Sequence, residues 1–258
     1  MPTNSTPLDQ VEWVKSNVIK VADTPQPDGQ WLYSIWLPHF LATWDVFAVW
    51  EKERLASMEK HLKKGDVLFD IGTEVGWMNI IYAQFVGPEN MVLMEPTTAF
   101  WQNIIETWTR NFPGIAPLAC YNGLISDKTT GNPMIYPRGF PPVEGELIHS
   151  MAYTYIHEHG ETAPQLTLDD FVDRTGTVPK ALTIDVEGAE LLVLEGAQKT
   201  LADNDLLVWV SIHPDLGKRD YDLEQLQVHR YMVALGYVGE YLATDHEQHW
   251  LFRRPTNV

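Results

Sequence analysis

The sequence predicts an α/β protein built on a doubly wound, mostly parallel sheet, with an antiparallel C-terminal edge and an N-terminal extension of helix and strand. Three observations lead there. Short apolar runs alternate with helix-like stretches along most of the chain. The runs are apolar almost throughout, as strands covered on both faces must be. Several of them stop at an acidic residue or a glycine, at the carboxyl ends where ligands of such sheets sit.

Residues 1–30 are polar and Pro-rich ("TPQPDGQ"), and part of this segment is expected to be mobile. "WLYSIWLP" (31–38) has the aromatic, β-branched composition of a strand. Over 43–62, Val46, Trp50, Leu55 and Met58 recur at three-to-five-residue spacings, as on one helix, with Trp44 and Trp50 read as core anchors. The alternation then begins. "DVLFDIG" (66–72), "NMVLMEP" (90–96), "GIAPLACYNGLIS" (114–126) and the short "PMIYP" (133–137) read as strands, with helices at 77–86 and 98–111 between them. A second series follows: "KALTIDVEG" (180–188), a helix over 189–202, "LLVWVSIHP" (206–214), and a helix over 222–236 closed by Gly236. "YVGEYLAT" and "HWLFRRP" predict a terminal hairpin. The expected organisation is an extension at 1–45 and one domain at 46–258, interrupted at 138–165.

Charge narrows the partners. Among 258 residues, 35 are acidic and 18 basic, a net charge of -17. Nucleic acid is bound through clustered Lys and Arg, and here basic residues run no longer than pairs such as Lys63-Lys64 and Arg253-Arg254. Nucleic acid and anionic membranes are therefore poor partners, and a neutral or cationic small molecule is favoured. No apolar run reaches the roughly 18 residues of a membrane span. "MPTNSTPLDQVEW" has neither a basic nor an apolar leader region. The single cysteine, Cys120, fits a reducing compartment and lies in an apolar stretch, as a packed core thiol does. The expectation is a cytoplasmic protein.

"DIGTEVGW" ends a strand at Asp70. Gly72 permits a tight turn, and Gly76 permits close approach of the next helix, whose N-terminus offers free N–H groups to an anion. A dinucleotide fingerprint would carry a third glycine in G-x-G-x-x-G; this loop does not. One strand later, Glu95 can accept from both hydroxyls of a ribose.

In order and spacing, "GDVLFDIGTEVGW", "LMEP", "LISDKTTG", "TLDDFV" and "ALTIDVEGAELLVLEGA" resemble the FkbM-type methyltransferases. The resemblance covers roughly residues 50–236 and implies a class I, Rossmann-like sheet that uses S-adenosylmethionine for O-methylation of a small molecule. It implies that Asp70, Gly72 and Gly76 shape the cofactor loop and that Glu95 holds the ribose. It also implies that Leu124–Ser126 border the adenine, with Asp127 reaching its amino group. Asn79 either binds the methionine end or is a solvated helix residue. The usual loop reads Asp-x-Gly-Ala-Asn-x-Gly, and here Thr73 and Glu74 replace Ala-Asn. Glu74 can accept from the methionine ammonium but repels the neighbouring carboxylate.

The carboxylates of "IDVEG" have two readings. Both Asp185 and Glu187 suit a helix start, but Asp185 lies inside the strand end. There it can serve as general base for a hydroxyl or as ligand of a divalent metal, with His213 and Asp215 of "SIHPD" completing the site. Glu187 is read as a capping or loop-tethering residue. The insertion carries His149, Tyr153, Tyr155, His157 and His159, and is read as a lid or substrate wall. Its His-x-His pair is read as a solvated loop. The expected function is S-adenosylmethionine-dependent methylation of a hydroxyl on a sugar or glycosylated metabolite. Its rivals are a catalytically silent cofactor-binding module, favoured by Glu74, and an NAD-binding oxidoreductase.

Overall fold

The computed structural model describes residues 5–18, 33–39, 51–148, 163–213, 221–245 and 247–255. Its elements, in chain order, are β1 (Ser5–Thr6), β2 (Trp13–Val18), β3 (Tyr33–Pro38), α1 (Lys52–His61), β4 (Leu68–Ile71), α2 (Met78–Val86) and β5 (Met91–Met94). Then come α3 (Trp101–Asn111), β6 (Ala119–Tyr121), β7 (Leu124–Ile125), β8 (Ile135–Pro137), β9 (Leu147–Ile148), β10 (Gln165–Leu166) and α4 (Leu168–Thr175). The chain continues with β11 (Ala181–Ile184), α5 (Glu190–Glu195), α6 (Gln198–Asp203), β12 (Leu207–Ile212), α7 (Tyr221–Ala234), β13 (Val238–Thr244) and β14 (Gln248–Arg253).

Eight strands form the main sheet in the order β13-β14-β12-β11-β4-β5-β6-β8. The five central strands, β12 through β6, are parallel, as their apolar composition predicts. The C-terminal hairpin makes the expected antiparallel edge, and β8 adds a second one on β6. From β4 the chain steps outward through β5 and β6, then returns to build β11 and β12 on the other side. The switch point therefore lies between β4 and β11, where a doubly wound sheet opens its crevice.

Alternation along the strands divides the core. Leu68, Leu93, Ala181 and Trp209 face α1, α2, α3 and β3, where Trp101 and Trp108 are buried. Phe69, Ile71, Leu182, Ile184 and Val210 face α4 through α7. Ile35 and Leu37 of β3 join the first layer.

A strand forms at Trp13–Val18 and pairs antiparallel with β3, while residues 19–30, with the Pro-rich stretch, lie outside the described residues. Other local expectations change. The strand expected over 114–126 divides, because Gly123 turns the chain against Tyr121 and Pro164. A Cβ there would lie 2.4 Å from the Tyr121 hydroxyl, and β7 then pairs with β10 instead. The helix expected over 189–202 breaks into α5 and α6 at Gly196, which sits where a Cβ would be 2.0 Å from the Ser126 carbonyl oxygen. The helix expected from 43 is seen as Lys52–His61, and residues 40–50, with Trp44, Val46 and Trp50, lie outside the described residues. So do residues 149–162, which hold most of the expected lid with His149, His157 and His159, and Asp215. Cys120 is buried on β6.

Candidate functional site

At the carboxyl end of β4, Gly72 takes φ +91, and a Cβ on it would lie 1.8 Å from the carbonyl oxygen of Asp185. Only a residue without a side chain lets the β4 and β11 ends meet this closely. Gly76, at φ +83, plays the same part against α3, where a Cβ would stand 2.8 Å from Ile104 Cα. Both glycines thus serve packing between elements.

The loop between them is tied to β5. Gly72 and Thr73 donate their N–H groups to the Met94 carbonyl at 2.9 and 3.2 Å. Thr73 Oγ1 accepts from Met94 N–H and donates to the Asp70 carbonyl. Glu74 adopts a left-handed φ of 53, a region that strains a non-glycine residue and that Asn tolerates better than Glu. Its N–H donates to Glu95 Oε2 at 2.9 Å, and Thr97 N–H donates to Glu95 Oε1 at 2.7 Å. Glu95 is therefore fixed by backbone donors, one on each oxygen. Burial, offset in part by those N–H groups, raises its carboxyl to about 7. Burial, with Asp185, Glu95 and Glu187 nearby, raises Glu74 to about 8. Burial also raises Asp70 to about 7, against the pull of Arg54 and Thr73.

Asn79, on the first turn of α2, is 0% exposed, and neither its Oδ1 nor its Nδ2 has a hydrogen-bond partner among the described residues. The solvated reading of this residue is thereby removed. Asp70 Oδ2 is likewise buried without a hydrogen bond. Leu124 sits in β7, while Ser126 donates its N–H to the Leu166 carbonyl and its hydroxyl to Asp127 Oδ1. The Asp127 residue itself is exposed. No hydrogen bond among the described residues joins this turn to Glu95 or Asn79.

Across the switch point the chemistry changes. Asp70, Thr183, Ser211 and His249 stand on one face of β4, β11, β12 and β14, the face covered by α1. Thr183 is in register with Asp70, and His249 with Ser211. Into this polar row α1 delivers Arg54, 1% exposed. Its Nη1 donates to Glu51 Oε2 at 2.6 Å, Ser211 Oγ at 2.9 Å and Asp185 Oδ2 at 3.1 Å, and its Nη2 donates to Thr183 Oγ1. The guanidinium also lies 5.7 Å from the centre of the Tyr82 ring. Burial alone would raise Asp185, yet His213, Arg54 and His249 hold its carboxyl below the usual range.

His213 is buried with carboxylates on both ring nitrogens. Nδ1 lies 3.0 Å from Glu190 Oε1. Nε2 lies 2.5 Å from Glu247 Oε2 and 3.4 Å from each of Asp185 Oδ1 and Glu187 Oε2. Burial would lower its pKa, but Glu190, Glu247 and Asp185 together raise it well above the ordinary value. Burial raises Glu187 to about 7, against the pull of His213. On the hairpin, His249 meets Ser211 Oγ at 3.1 Å through Nδ1 and Asp245 Oδ1 at 3.0 Å through Nε2. Asp185 and Glu187 keep 26% and 24% of their side chains exposed, so these two carboxylates open toward solvent while their partners are sealed.

The structure thus brings the anticipated Asp185 and His213 within 3.4 Å of each other and adds residues the sequence reading missed: Glu51, Arg54, Glu190, Ser211, Asp245, Glu247 and His249. For Ser211 a signal existed: like Asp70 on β4 and Thr183 on β11, it is the one polar residue of an otherwise apolar strand. Among the described residues, two groups of side chains could hold a metal ion. Asp185, His213 and Glu247 form one, and Asp245, Glu247 and His249 the other, with ligand atoms within 4.8 Å of one another.

The sequence profile of the methyltransferase FkbM domain matches residues 70–239. Among solved structures, the methyltransferase FkbM from Methylobacillus flagellatus is similar at 15% identity and a TM-score of 0.49. The match covers 75% of this chain and 44% of that one, so this chain spans less than half the length of that relative. A precorrin-6y C5,15-methyltransferase from Geobacter metallireducens is similar at 9% identity and a TM-score of 0.47, covering 81% of this chain and 90% of that one. No curated relative matches the sequence.

Proposed function

Because the chain belongs to the FkbM methyltransferase family across residues 70–239, we propose that it moves a methyl group from S-adenosylmethionine to a hydroxyl of a small molecule, a sugar or a glycosylated metabolite. The observation that carries this reading is the contact of Gly72 with the Asp185 carbonyl. It sets a nucleoside-type loop and a solvent-facing carboxylate on the two lips of one crevice.

The residues of the loop side fit the cofactor. Each Glu95 oxygen has one lone pair engaged by a backbone N–H, leaving others for the ribose hydroxyls. Asn79 offers a buried donor and acceptor without hydrogen-bond partners among the described residues, a costly arrangement that a polar ligand would relieve. These two would hold the ribose and the methionine end, with Glu74 near the ammonium. Leu124, Ser126 and Asp127 would border the adenine. The bound cofactor would supply an electrophilic methyl group on sulfur.

The chain's own task is to aim a hydroxyl and receive its proton. As an acceptor oxygen took the methyl group that the bound cofactor would supply and the carbon–sulfur bond gave way, its proton would pass toward the carboxylate side of the crevice. Asp185 keeps its charge there because Arg54 and His213 favour the ionised form. His213, with a carboxylate on each nitrogen, acts by electrostatics and positioning. Asp185 and His213 are also where a divalent ion would assist. The net charge of -17 favours a neutral or cationic acceptor, and the single buried Cys120 suits a cytoplasmic setting. A silent cofactor-binding module is the second reading, favoured by the strained Glu74 in the loop.

The test uses S-adenosylmethionine labelled in its methyl group with panels of sugars, glycosides and amines. Label on an acceptor oxygen supports the proposal. Label on nitrogen alone overturns the hydroxyl assignment, and cofactor binding without transfer to any panel member supports the silent module.

A further inference from the structure

We propose that the β13–β14 hairpin completes a divalent-cation site at the β11 and β12 ends, with Asp185 Oδ1, His213 Nε2 and Glu247 Oε2 as ligands. The starting observation is a mismatch of valence. Three carboxylate oxygens, from Glu247, Asp185 and Glu187, stand at 2.5, 3.4 and 3.4 Å from one imidazole nitrogen. A protonated Nε2 has one hydrogen and satisfies one of them. A cation shared by the same atoms satisfies all.

A second observation sharpens that convergence. Glu187 Oε2 makes no hydrogen bond among the described residues and is aimed at the same nitrogen, although 24% of its side chain stays exposed. With the Nε2 proton given to Glu247, this oxygen keeps a charge contact only, and a cation would serve it directly. A third concerns orientation. Glu190 Oε1 engages His213 Nδ1 and also accepts the Gly188 N–H, a carboxylate–histidine arrangement that turns Nε2 toward a metal and raises its basicity.

The two metal-capable groups are not equivalent. His249 has an ordinary hydrogen bond on each nitrogen, to Ser211 and Asp245, and stands 3.9 Å from Glu247 Oε1. It braces the hairpin that carries Glu247 and is a positioning residue. Charge points the same way as geometry. Glu51, Asp185, Glu187, Glu190, Asp245 and Glu247 are gathered around one guanidinium and two imidazoles, and Arg54 is committed to Asp185 Oδ2 and Glu51. Glu247 and its brace lie beyond residues 70–239, outside the segment that matches the family. A ligand set of one imidazole with two or three carboxylates suits Mn²⁺ or Zn²⁺ better than Mg²⁺ or Ca²⁺. The site rests on the methyltransferase reading for its purpose, which is to acidify the acceptor hydroxyl, but its existence can be tested without turnover.

The full chain is stripped with EDTA and titrated calorimetrically with MnCl₂ and with ZnCl₂, without cofactor. The expected result is one ion per chain, released protons, and affinity reduced by roughly 10-fold or more in His213→Ala and in Glu247→Gln, on the scale of altered metal surroundings. Imidazole NMR of the unmodified protein needs no variant. Mn²⁺ should broaden the His213 ring signals first and spare His61 on α1. Absence of binding overturns the site, as does binding that leaves His213 unbroadened or that both folded variants retain. S-adenosylhomocysteine affinity of the stripped protein, measured alongside, reports on the cofactor reading. Either result can fail while the other stands.

Discussion

On the β4–β5 side of the crevice, Glu95 is held by backbone N–H groups, whereas across the switch point Asp185 and Glu51 are held by cationic side chains. Backbone donors fix a carboxylate in place but carry no full charge, so burial wins and Glu95 rises to about 7. On the other side Arg54 and His213 outweigh burial at Asp185, which stays below the usual range, while Glu51 beside Arg54 is still raised by burial. One lip presents hydrogen-bonding groups, among them Asn79, buried without a hydrogen-bond partner among the described residues. The other presents fixed charge.

The joint between the halves is the place to break both at once. Gly72→Ala puts a Cβ 1.8 Å from the Asp185 carbonyl at a φ of +91, so it should have the largest effect. Loss of the cooperative thermal transition, or a melting temperature far below wild type with no response to S-adenosylhomocysteine, is expected. A wild-type melt would show that the two lips are not rigidly coupled.

The fixed charge can then be addressed alone. Asp185→Asn keeps the shape and loses the charge, and turnover should fall by roughly 10²–10⁴-fold, the span of proton-transfer contributions. The melting response to S-adenosylhomocysteine should survive. An unchanged rate per folded molecule would mean that this lip faces no chemistry. Arg54→Met leaves Glu51 and Asp185 without their guanidinium, and urea unfolding should show a loss of about 3–5 kcal/mol, the cost of breaking a buried pair. A loss under about 1 kcal/mol, the worth of an exposed pair, would contradict the buried network.

The smallest effect is one of pH. Asp70, Glu74 and Glu95 have folded-state values raised to about 7, 8 and 7. An acid raised on folding favours the folded state below its unfolded value, and that contribution disappears as pH climbs through the folded one. The ligand-free melting temperature should therefore decline between about pH 4 and about pH 8, from the ordinary carboxyl values to the raised folded ones. A melting temperature that rises across this window would mean the carboxylates are already neutralised.

The two lips also differed in how far they could be read from sequence. The loop side is local: Asp70, Gly72, Gly76 and Asn79 fall within ten residues, and Glu95 ends the next strand, so spacing alone could assemble them. The alternation of strand and helix was legible for the same reason. The charged side draws on Glu51, Arg54, Asp185, Glu190, Ser211, His213 and Glu247, whose proximity exists only once four strands lie in register under α1. In the sequence Arg54 is one of several charges on α1, and its partners Thr183 and Ser211 lie 129 and 157 residues away. Breaks at Gly123 and Gly196 were missed because each is imposed by a distant backbone segment, at Pro164 and Ser126.

Calorimetric titration with S-adenosylhomocysteine tests the central claim most directly. The wild-type chain should bind it above about pH 7, where Glu95 is ionised. Glu95→Ala should lose most of that affinity while keeping its fold, and NAD should give no heat. Binding of NAD with no response to S-adenosylhomocysteine would contradict the account.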